Sequence, residues 1–273
     1  MDTSHVESHY SRGDLRSTLF RALEATGLDP DNLQTADLAP VDEFHIRGRE
    51  ATQELMGLAE FQPGDHVLDV GCGIGGPARH LAQDRGCRVT GLELTREYCD
   101  LASDLTANTG LDHRVDFRVG DAQAMPFGDQ AFDGVWTLHM TMNVPDKDRL
   151  YAEMRRILRP GGRLAMYEIV AGAGGDPHLP APWARSPAIN HLTTAGDLRA
   201  GLESQGFRQR HWRDVTEPAA GFFATMLDRA RTEEPPPLGL HLVLGSDMGE
   251  MAANMLRNLE EERIQVVQLV MDG

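Results

Sequence analysis

The stretch Val67-Leu-Asp-Val-Gly-Cys-Gly-Ile-Gly-Gly-Pro77 decides how this chain is read. It opens with His66 to Val70, an apolar run with the length and branching of a buried strand. Glycines follow, and Pro77 stands where the first turn of a helix accepts a proline. Gly71, Gly73 and Gly76 satisfy G-x-G-x-x-G, a turn that brings backbone N–H groups against a ligand at a helix N-terminus. Taken alone, such a run serves equally well as a purely structural strand-to-helix turn.

Outward from this loop, strand and helix signals alternate. Arg88 to Leu94 reads as a second strand, Val115, Phe117 and Val119 as a third, Phe132 to Leu138 as a fourth and Arg163 to Val170 as a fifth. Between them, Thr95 caps a helix that carries Tyr98, Leu101, Ala102 and Leu105 on one face. Asp146 caps another with Leu150, Met154, Ile157 and Leu158 inside, stopped by Arg159-Pro-Gly-Gly162. Strands joined by helices imply right-handed crossovers and a parallel sheet, with ligands beyond the strands' carboxyl ends. Before the first strand, Asp14 to Thr26 reads as an amphipathic helix through Leu15, Leu19 and Leu23, Leu28 to Val41 as a loop, and Arg49 to Glu60 as a helix. After the fifth strand, Ala171 to Leu192 is a loop dense in Gly and Pro. Thr194 and Asp197 form a capping box, Phe207 to Val215 is strand six, Phe222 to Arg231 and Met248 to Glu262 are helical, and Ile264 to Met271 is a final strand.

Composition narrows the function classes. The 273 residues, 41% of them hydrophobic and 25% charged, suit a soluble globular protein. Acidic residues exceed basic ones by 42 to 26, a net charge of −16 that repels nucleic acid and anionic membrane surfaces. No apolar run approaches the ~18 residues of a membrane span. The three cysteines, Cys72, Cys87 and Cys99, lack metal-ligand spacing, so neither a disulfide framework nor a zinc site is expected. A reducing, cytoplasmic setting follows, with a small molecule as partner. A homodimer stays open.

The strand ends indicate which ligand the loop takes. Asp69 lies two residues before the first loop glycine, where a carboxylate opposes a pyrophosphate and suits a cationic ligand. S-adenosylmethionine, with a sulfonium and an ammonium and no phosphate, is such a ligand. Glu93 ends strand two, placed to accept both ribose hydroxyls of an adenosine, as it would also for NAD. Asp121, after strand three, can accept from an adenine amino group while the Ala122 N–H meets a ring nitrogen. Each has a bland alternative: a loop-tying acid, a solvated strand-end Glu, a turn-forming Asp.

As a set, Asp69-Val-Gly-Cys-Gly-Ile-Gly75, Glu93, Gly120-Asp-Ala122, Phe132-Asp-Gly-Val-Trp136 and Leu158-Arg-Pro-Gly-Gly-Arg-Leu164 resemble the class I S-adenosylmethionine-dependent methyltransferases. The resemblance implies a Rossmann-like α/β fold: a seven-stranded, mostly parallel sheet with its last strand antiparallel, helices on both faces and a helical cap. It implies S-adenosyl-L-methionine as cofactor, held by Asp69, Gly71, Gly73, Gly75, Glu93, Leu94, Asp121, Ala122 and His139. Glu43-Phe-His-Ile-Arg-Gly-Arg-Glu-Ala-Thr52 and Trp136 to Asp146 are similar to segments of the sarcosine/dimethylglycine branch, except that Arg47 stands where that branch has a glycine. That narrower likeness points to an amine nitrogen of an amino-acid-like acceptor. A thiol, hydroxyl or carbon acceptor of natural-product type is the alternative.

Methyl transfer needs alignment, desolvation and, for some acceptors, a base. His139, just past strand four, is the first candidate for orienting or deprotonating the acceptor, or else a histidine that satisfies loop backbone groups. Asn143 and Glu168 are the other candidate catalytic groups, with a turn residue and an ordinary strand-end acid as alternatives. His45, Arg47, Met142, Tyr167, Trp183 and His241 are candidates for the acceptor site, and His178 is a weaker one. Cys72 reads as a small loop residue. Residues 1–45 are expected to form a helical lid, 46–215 the cofactor-binding core, 216–262 an inserted helical cap and 263–273 the last strand of the sheet. Two other classes fit parts of the pattern. A nicotinamide-dependent oxidoreductase matches G-x-G-x-x-G and Glu93 but not Asp69, and a non-catalytic adenosyl-binding module matches the loop alone.

Overall fold

The structure, a computed structural model, describes residues 14–273 together with Val6 and His9. The remaining N-terminal residues, part of the expected lid segment, lie outside the described residues. The strands are β1 (His66–Val70), β2 (Arg88–Glu93), β3 (Val115–Val119), β4 (Phe132–Leu138), β5 (Leu158–Ala171), β6 (Arg208–Asp214) and β7 (Ile264–Asp272). The helices are α1 (Leu15–Ala25), α2 (Thr35–Asp42), α3 (Gly48–Ala59), α4 (Gly76–Arg85), α5 (Arg96–Asn108), α6 (Lys147–Ile157), α7 (Ala195–Ser204), α8 (Thr216–Ala230), α9 (His241–Leu244) and α10 (Met248–Glu260).

The strands form one sheet in the order β3-β2-β1-β4-β5-β7-β6. β1 pairs in parallel with both β2 and β4, and β7 runs antiparallel to β5 and β6. The strand order therefore reverses beside β1, which opens a crevice at the carboxyl ends of β1 and β4. Alternation along the strands divides the core. Val67, Val89, Trp136 and Tyr167 share one apolar layer with Leu55, Leu81 and Met255 of the helices. Leu68, Val135, Leu164 and Met166 share the other with Leu150, Met154 and Leu202. A third cluster, Leu15, Leu19 and Leu23 against Tyr98, Leu101 and Leu105, seats α1 on α5.

The structure departs from the sequence reading where local chemistry was ambiguous. The segment read as a loop before Val41 contains α2. The Asp37 carboxylate accepts from the Gln34 N–H at 2.8 Å, and Pro40 is tolerated in a helix of eight residues. Thr95 does not cap α5 with its side chain. Its own N–H instead donates to Glu93 Oε1 at 3.0 Å. β5 begins at Leu158, because Arg159-Pro-Gly-Gly162 passes through a register shift against β4 rather than forming a separate turn. The long loop after β5 is tied down by a bridge from Ala171 to Thr194 and a short turn at Pro187–Ile189. Asp146 and Thr194 cap as expected, accepting from Arg149 and Asp197 N–H groups.

A buried polar seam joins the N-terminal helices to the glycine loop. Arg79 of α4 is fully buried, its Nη2 2.7 Å from Asp42 Oδ2 and 2.9 Å from the Ile74 carbonyl, and its Nη1 3.0 Å from Thr106 Oγ1. Next to it, Glu43 accepts from Thr52 Oγ1 at 2.7 Å and lies 3.0 Å from His80 Nε2. Removing one partner of a buried ion pair strands the other charge, at a cost of about 3–5 kcal/mol. Asp42→Ala is therefore expected to lower unfolding stability by roughly that amount in urea titration, and a loss under 1 kcal/mol would show that water reaches Arg79.

Candidate active site

The glycine loop is shaped by three close approaches. Gly71 has φ +74°, and a β-carbon there would overlap the Met140 side chain. Gly75, at φ +84° as the residue before α4, faces Phe117 and the Arg79 guanidinium. Gly76 packs against the backbone and carboxyl of Asp42. Gly73 differs: its β-carbon would meet no heavy atom within 4 Å, and the residue lines the cavity beyond β1. Gly71 and Gly73 thus border the cavity, whereas Gly75, expected to hold cofactor, lies behind the wall. Its glycine is required by φ and by packing.

Among the described residues four carboxylates line this cavity, Asp42 of α2 and three that follow or end β1, β2 and β3. Asp69, at the end of β1, is 1% exposed, and its Oδ2 finds no hydrogen-bond partner among the described residues. Burial, reinforced by Glu93 and then Glu43, pushes its carboxyl well above the usual range. Glu93 accepts the Gly73 N–H on Oε2 and the Thr95 N–H on Oε1, each at 3.0 Å, and burial raises its pKa. Each of its oxygens keeps a second lone pair for a diol. Asp121 turns its loop back by accepting the Gln123 N–H at 2.8 Å, and it lines the cavity with Leu94 and Ala122. A buried Asp69 Oδ2 without a donor and a diol acceptor in Glu93, beside loop N–H groups already bonded to the Leu92 carbonyl and to Glu93, fit a cationic adenosyl ligand and would repel a pyrophosphate.

A histidine pair stands beyond these acids. His139 follows β4 with φ +48°, its N–H donating to the Tyr167 carbonyl at 2.7 Å. Its ring packs on Tyr167 at 4.5 Å between centroids, with His45 edge-on at 6.1 Å. His139 Nε2 has no partner among the described residues, and burial, helped by His45, holds the ring's pKa well below 6.5. His139 is therefore a neutral imidazole with an uncommitted nitrogen, able to accept one hydrogen bond or proton. His45 Nε2 is committed, 3.0 Å from both the Gly48 carbonyl and Thr52 Oγ1.

His45, Met142, Asn143 and Trp183 line the cavity as expected. Several other candidates do not. Arg47 is drawn outward by α3, with its guanidinium 2.7 and 3.0 Å from the Glu54 oxygens and 2.8 Å from Glu50. Tyr167 supports the two histidine rings from behind and does not reach the cavity wall. Glu168 faces away from the cavity, where its Oε2 accepts the N–H and hydroxyl of Thr141 at 3.2 and 2.9 Å. At α9, Leu240, Val243 and Leu244 meet the cavity and His241 stays outside its wall. His178 clasps Glu261 at 2.8 Å and anchors its loop. Asn143 donates to the Trp183 and Ile189 carbonyls at 2.8 and 3.0 Å, so it ties two loops together. Burial raises the Cys72 thiol well above its ordinary value, which leaves it inert.

The sequence reading missed Asp42, hidden in the unrecognised α2, and the wall formed by Phe222, Phe223 and Met226 of α8 with Met248 and Met251 of α10. Helical spacing alone does not separate such side chains from ordinary core.

Residues 68–166 match the methyltransferase domain family. The chain has the Rossmann-like fold of methyltransferases of known structure. It is similar to the 27-O-demethylrifamycin SV methyltransferase of Amycolatopsis mediterranei (strain S699), 37% identical over 60% of this chain and 58% of that protein. It is also similar to the glycine/sarcosine/dimethylglycine N-methyltransferase of Actinopolyspora halophila, 26% identical over 71% and 34%. Among solved structures, a geranyl diphosphate C-methyltransferase from Streptomyces coelicolor A3(2) superposes with a TM-score of 0.72 at 19% identity, covering 99% of this chain and 97% of that one. The chain spans less than two thirds of the length of the curated relatives it matches.

In this methyltransferase fold Glu168 is a buried strut. Burial raises its carboxyl to about 7, against an ordinary 4.5. A folded-state pKa above the unfolded one contributes stability that is full below the unfolded value and lost as pH rises through the folded value. Between pH 4.5 and 7 the wild type should therefore lose up to about 3 kcal/mol, from roughly 1.4 kcal/mol per unit. Glu168→Gln should flatten that slope in denaturant titrations at pH 5 and 8, and equal slopes would mean that Glu168 stays ionised throughout.

Proposed function

We propose that the protein is an S-adenosylmethionine-dependent methyltransferase of a small molecule. The carrying observation is the buried, unpartnered Asp69 carboxylate beside Glu93 and Gly73 at the carboxyl end of β1. Asp69 would meet the ligand's cationic amino-acid end, Glu93 its ribose hydroxyls, and Asp121 with Ala122 its adenine. Leu94, Gly71 and Gly73 would give it contact surface. When bound, the cofactor supplies an electrophilic methyl on a sulfonium. The chain orients both reactants, excludes water and, through the free Nε2 of His139, offers a place for a proton leaving an acceptor hydroxyl or amine. The described part of residues 1–45 and residues 216–262 would act as lid and cap over the 46–215 core, whose last strand is 263–273.

The cavity wall speaks to the acceptor. Phe222, Phe223, Met226 and Trp183 share an apolar cluster with Met142 and Ile169, at the ends of β4 and β5 where His139 lies. Among the described residues no Lys or Arg lines the cavity, so the carboxylate of an amino-acid-like acceptor finds no cation there. An uncharged, largely apolar acceptor presenting oxygen, nitrogen or carbon suits this wall better. The rifamycin-acting relative supports that class. The amine nitrogen of an amino-acid-like acceptor is the second reading, supported by the glycine/sarcosine/dimethylglycine relative and the Glu43–Thr52 likeness.

Calorimetric titration with S-adenosylhomocysteine tests the cofactor assignment. The wild type should bind in the micromolar range, and Asp69→Ala and Glu93→Ala should each weaken binding about tenfold or more, near 1.4 kcal/mol. No heat with the wild type, followed by binding of NAD, would replace this reading with an oxidoreductase.

A further inference from the structure

The chain's single lysine is half-buried, with its ammonium turned onto backbone carbonyls. Lys147 opens α6 beside its capping residue Asp146, with Nζ 2.6 Å from the Thr141 carbonyl, 2.5 Å from that of Val144 and 2.8 Å from that of His191. Thr141 and Val144 bracket the turn after β4, the turn that follows His139 and contains Met142 and Asn143. His191 ends the loop that carries Trp183 and Ile189, and its N–H donates to the Met142 carbonyl at 2.8 Å. The two loops form adjoining parts of the cavity wall, and three backbone carbonyls converge where they meet.

We propose that Lys147 is a positioning residue whose ammonium, shared among these three carbonyls, locks the His139 loop onto the Trp183 loop and so fixes the acceptor side of the cavity. The chemistry favours lysine. An ammonium offers three donors in a compact tetrahedral array, one for each carbonyl, whereas a planar guanidinium spreads its donors in a fork. Asn143 adds a second strut from the same turn to Trp183 and Ile189. The Trp183 indole N–H donates to Asn190 Oδ1 at 2.9 Å, so movement of the His191 end is passed to the ring through its neighbour.

Protonation controls this lock. Neutral lysine keeps two donors and turns a lone pair toward the third carbonyl. Burial lowers the Lys147 ammonium to about 8, while Glu168 from β5 pulls it the other way. The imidazole of His191, on the facing loop, is kept below its ordinary value by burial and by Lys147 itself. Asp148 and Tyr151 are the titratable neighbours on α6, with Asp146 at its cap, and burial pushes the Tyr151 phenol up. The lock is therefore closed at neutral pH and opens in mildly alkaline solution.

The consequence for catalysis rests on the methyl-transfer reading, but the lock can be tested without it. The protein has three tryptophans, so 5-fluorotryptophan labelling gives three fluorine resonances, with Trp183 identified by Trp183→Phe. In the wild type the Trp183 resonance should titrate with a midpoint near pH 8. In Lys147→Met it should be displaced already at pH 7 and show no such titration, while S-adenosylhomocysteine affinity stays within about twofold. If Lys147→Met does not fold, Lys147→Arg, charged throughout this range, should abolish the titration. A Trp183 resonance that still titrates near pH 8 in either variant, or that fails to titrate in the wild type, would overturn the lock. Failure of the wild type to bind S-adenosylhomocysteine would instead remove the cofactor reading and leave the fluorine result to stand by itself.

Discussion

The close packing of the glycine loop is the constraint on which the rest depends. Leaving β1, the chain touches the loop after β4 at Gly71, β3 and the buried Arg79 at Gly75, and α2 at Gly76. A side chain at any of these three would push one neighbour away. Because the contacts converge on six residues, α2, the sheet and the loop after β4 are placed relative to one point. Gly73 is the exception that gives the arrangement its use. Held at φ +55° with nothing against it, it leaves room for a ligand where the others leave none.

That geometry also explains where the charge sits. Asp69, Glu93, Asp42 and Glu43 are all within the seam between loop and lid, and burial works against ionising them. Glu43 and Asp42 are compensated internally by His80, Thr52 and Arg79. Glu93 is compensated in part by two backbone N–H groups. Asp69 Oδ2 and Asp42 Oδ1 both lack a donor among the described residues and both residues line the cavity, but Asp42 has Arg79 on its other oxygen, so the uncompensated charge of the seam is concentrated at Asp69. A cation arriving there relieves a cost that folding has already imposed, which is a more specific attraction than the overall negative charge could provide.

The cofactor side was legible in the sequence because it is contiguous. Asp69, the glycines, Glu93 and Asp121 each close a strand whose hydrophobic pattern marks its end. The acceptor side is assembled from residues near 42–46, 182–191, 222–226 and 240–252, four stretches that share no local motif and are mostly apolar. No local spacing distinguishes Met251, facing a cavity, from Met255, facing the core. The errors share one cause. Arg47, Tyr167 and Glu168 were judged by their chemistry and their distance from a motif, but a one-residue step along a strand, or an early turn of helix, decides the face. α2 was hidden by Pro40 and by an unusual cap, and Lys147 by being an ordinary surface residue type, here half-buried.

The split between the two sides bears on how such a fold changes acceptor. The buried charges of Arg79, Asp42 and Glu43 and the glycines at 71, 75 and 76 leave little room for added volume, since a β-carbon at those glycines would meet Met140, Phe117 or the Asp42 backbone. The cap wall is built of Met, Phe and Leu on helices whose outer faces are in water, and flexible apolar side chains there can repack at small cost. Between the two lies the polar cluster of Lys147, Asn143 and Glu168, whose hydrogen bonds go to backbone carbonyls and to Thr141. A cluster that holds main chain is indifferent to which side chains line the wall. It can therefore keep His139 in one place whichever side chains line the wall.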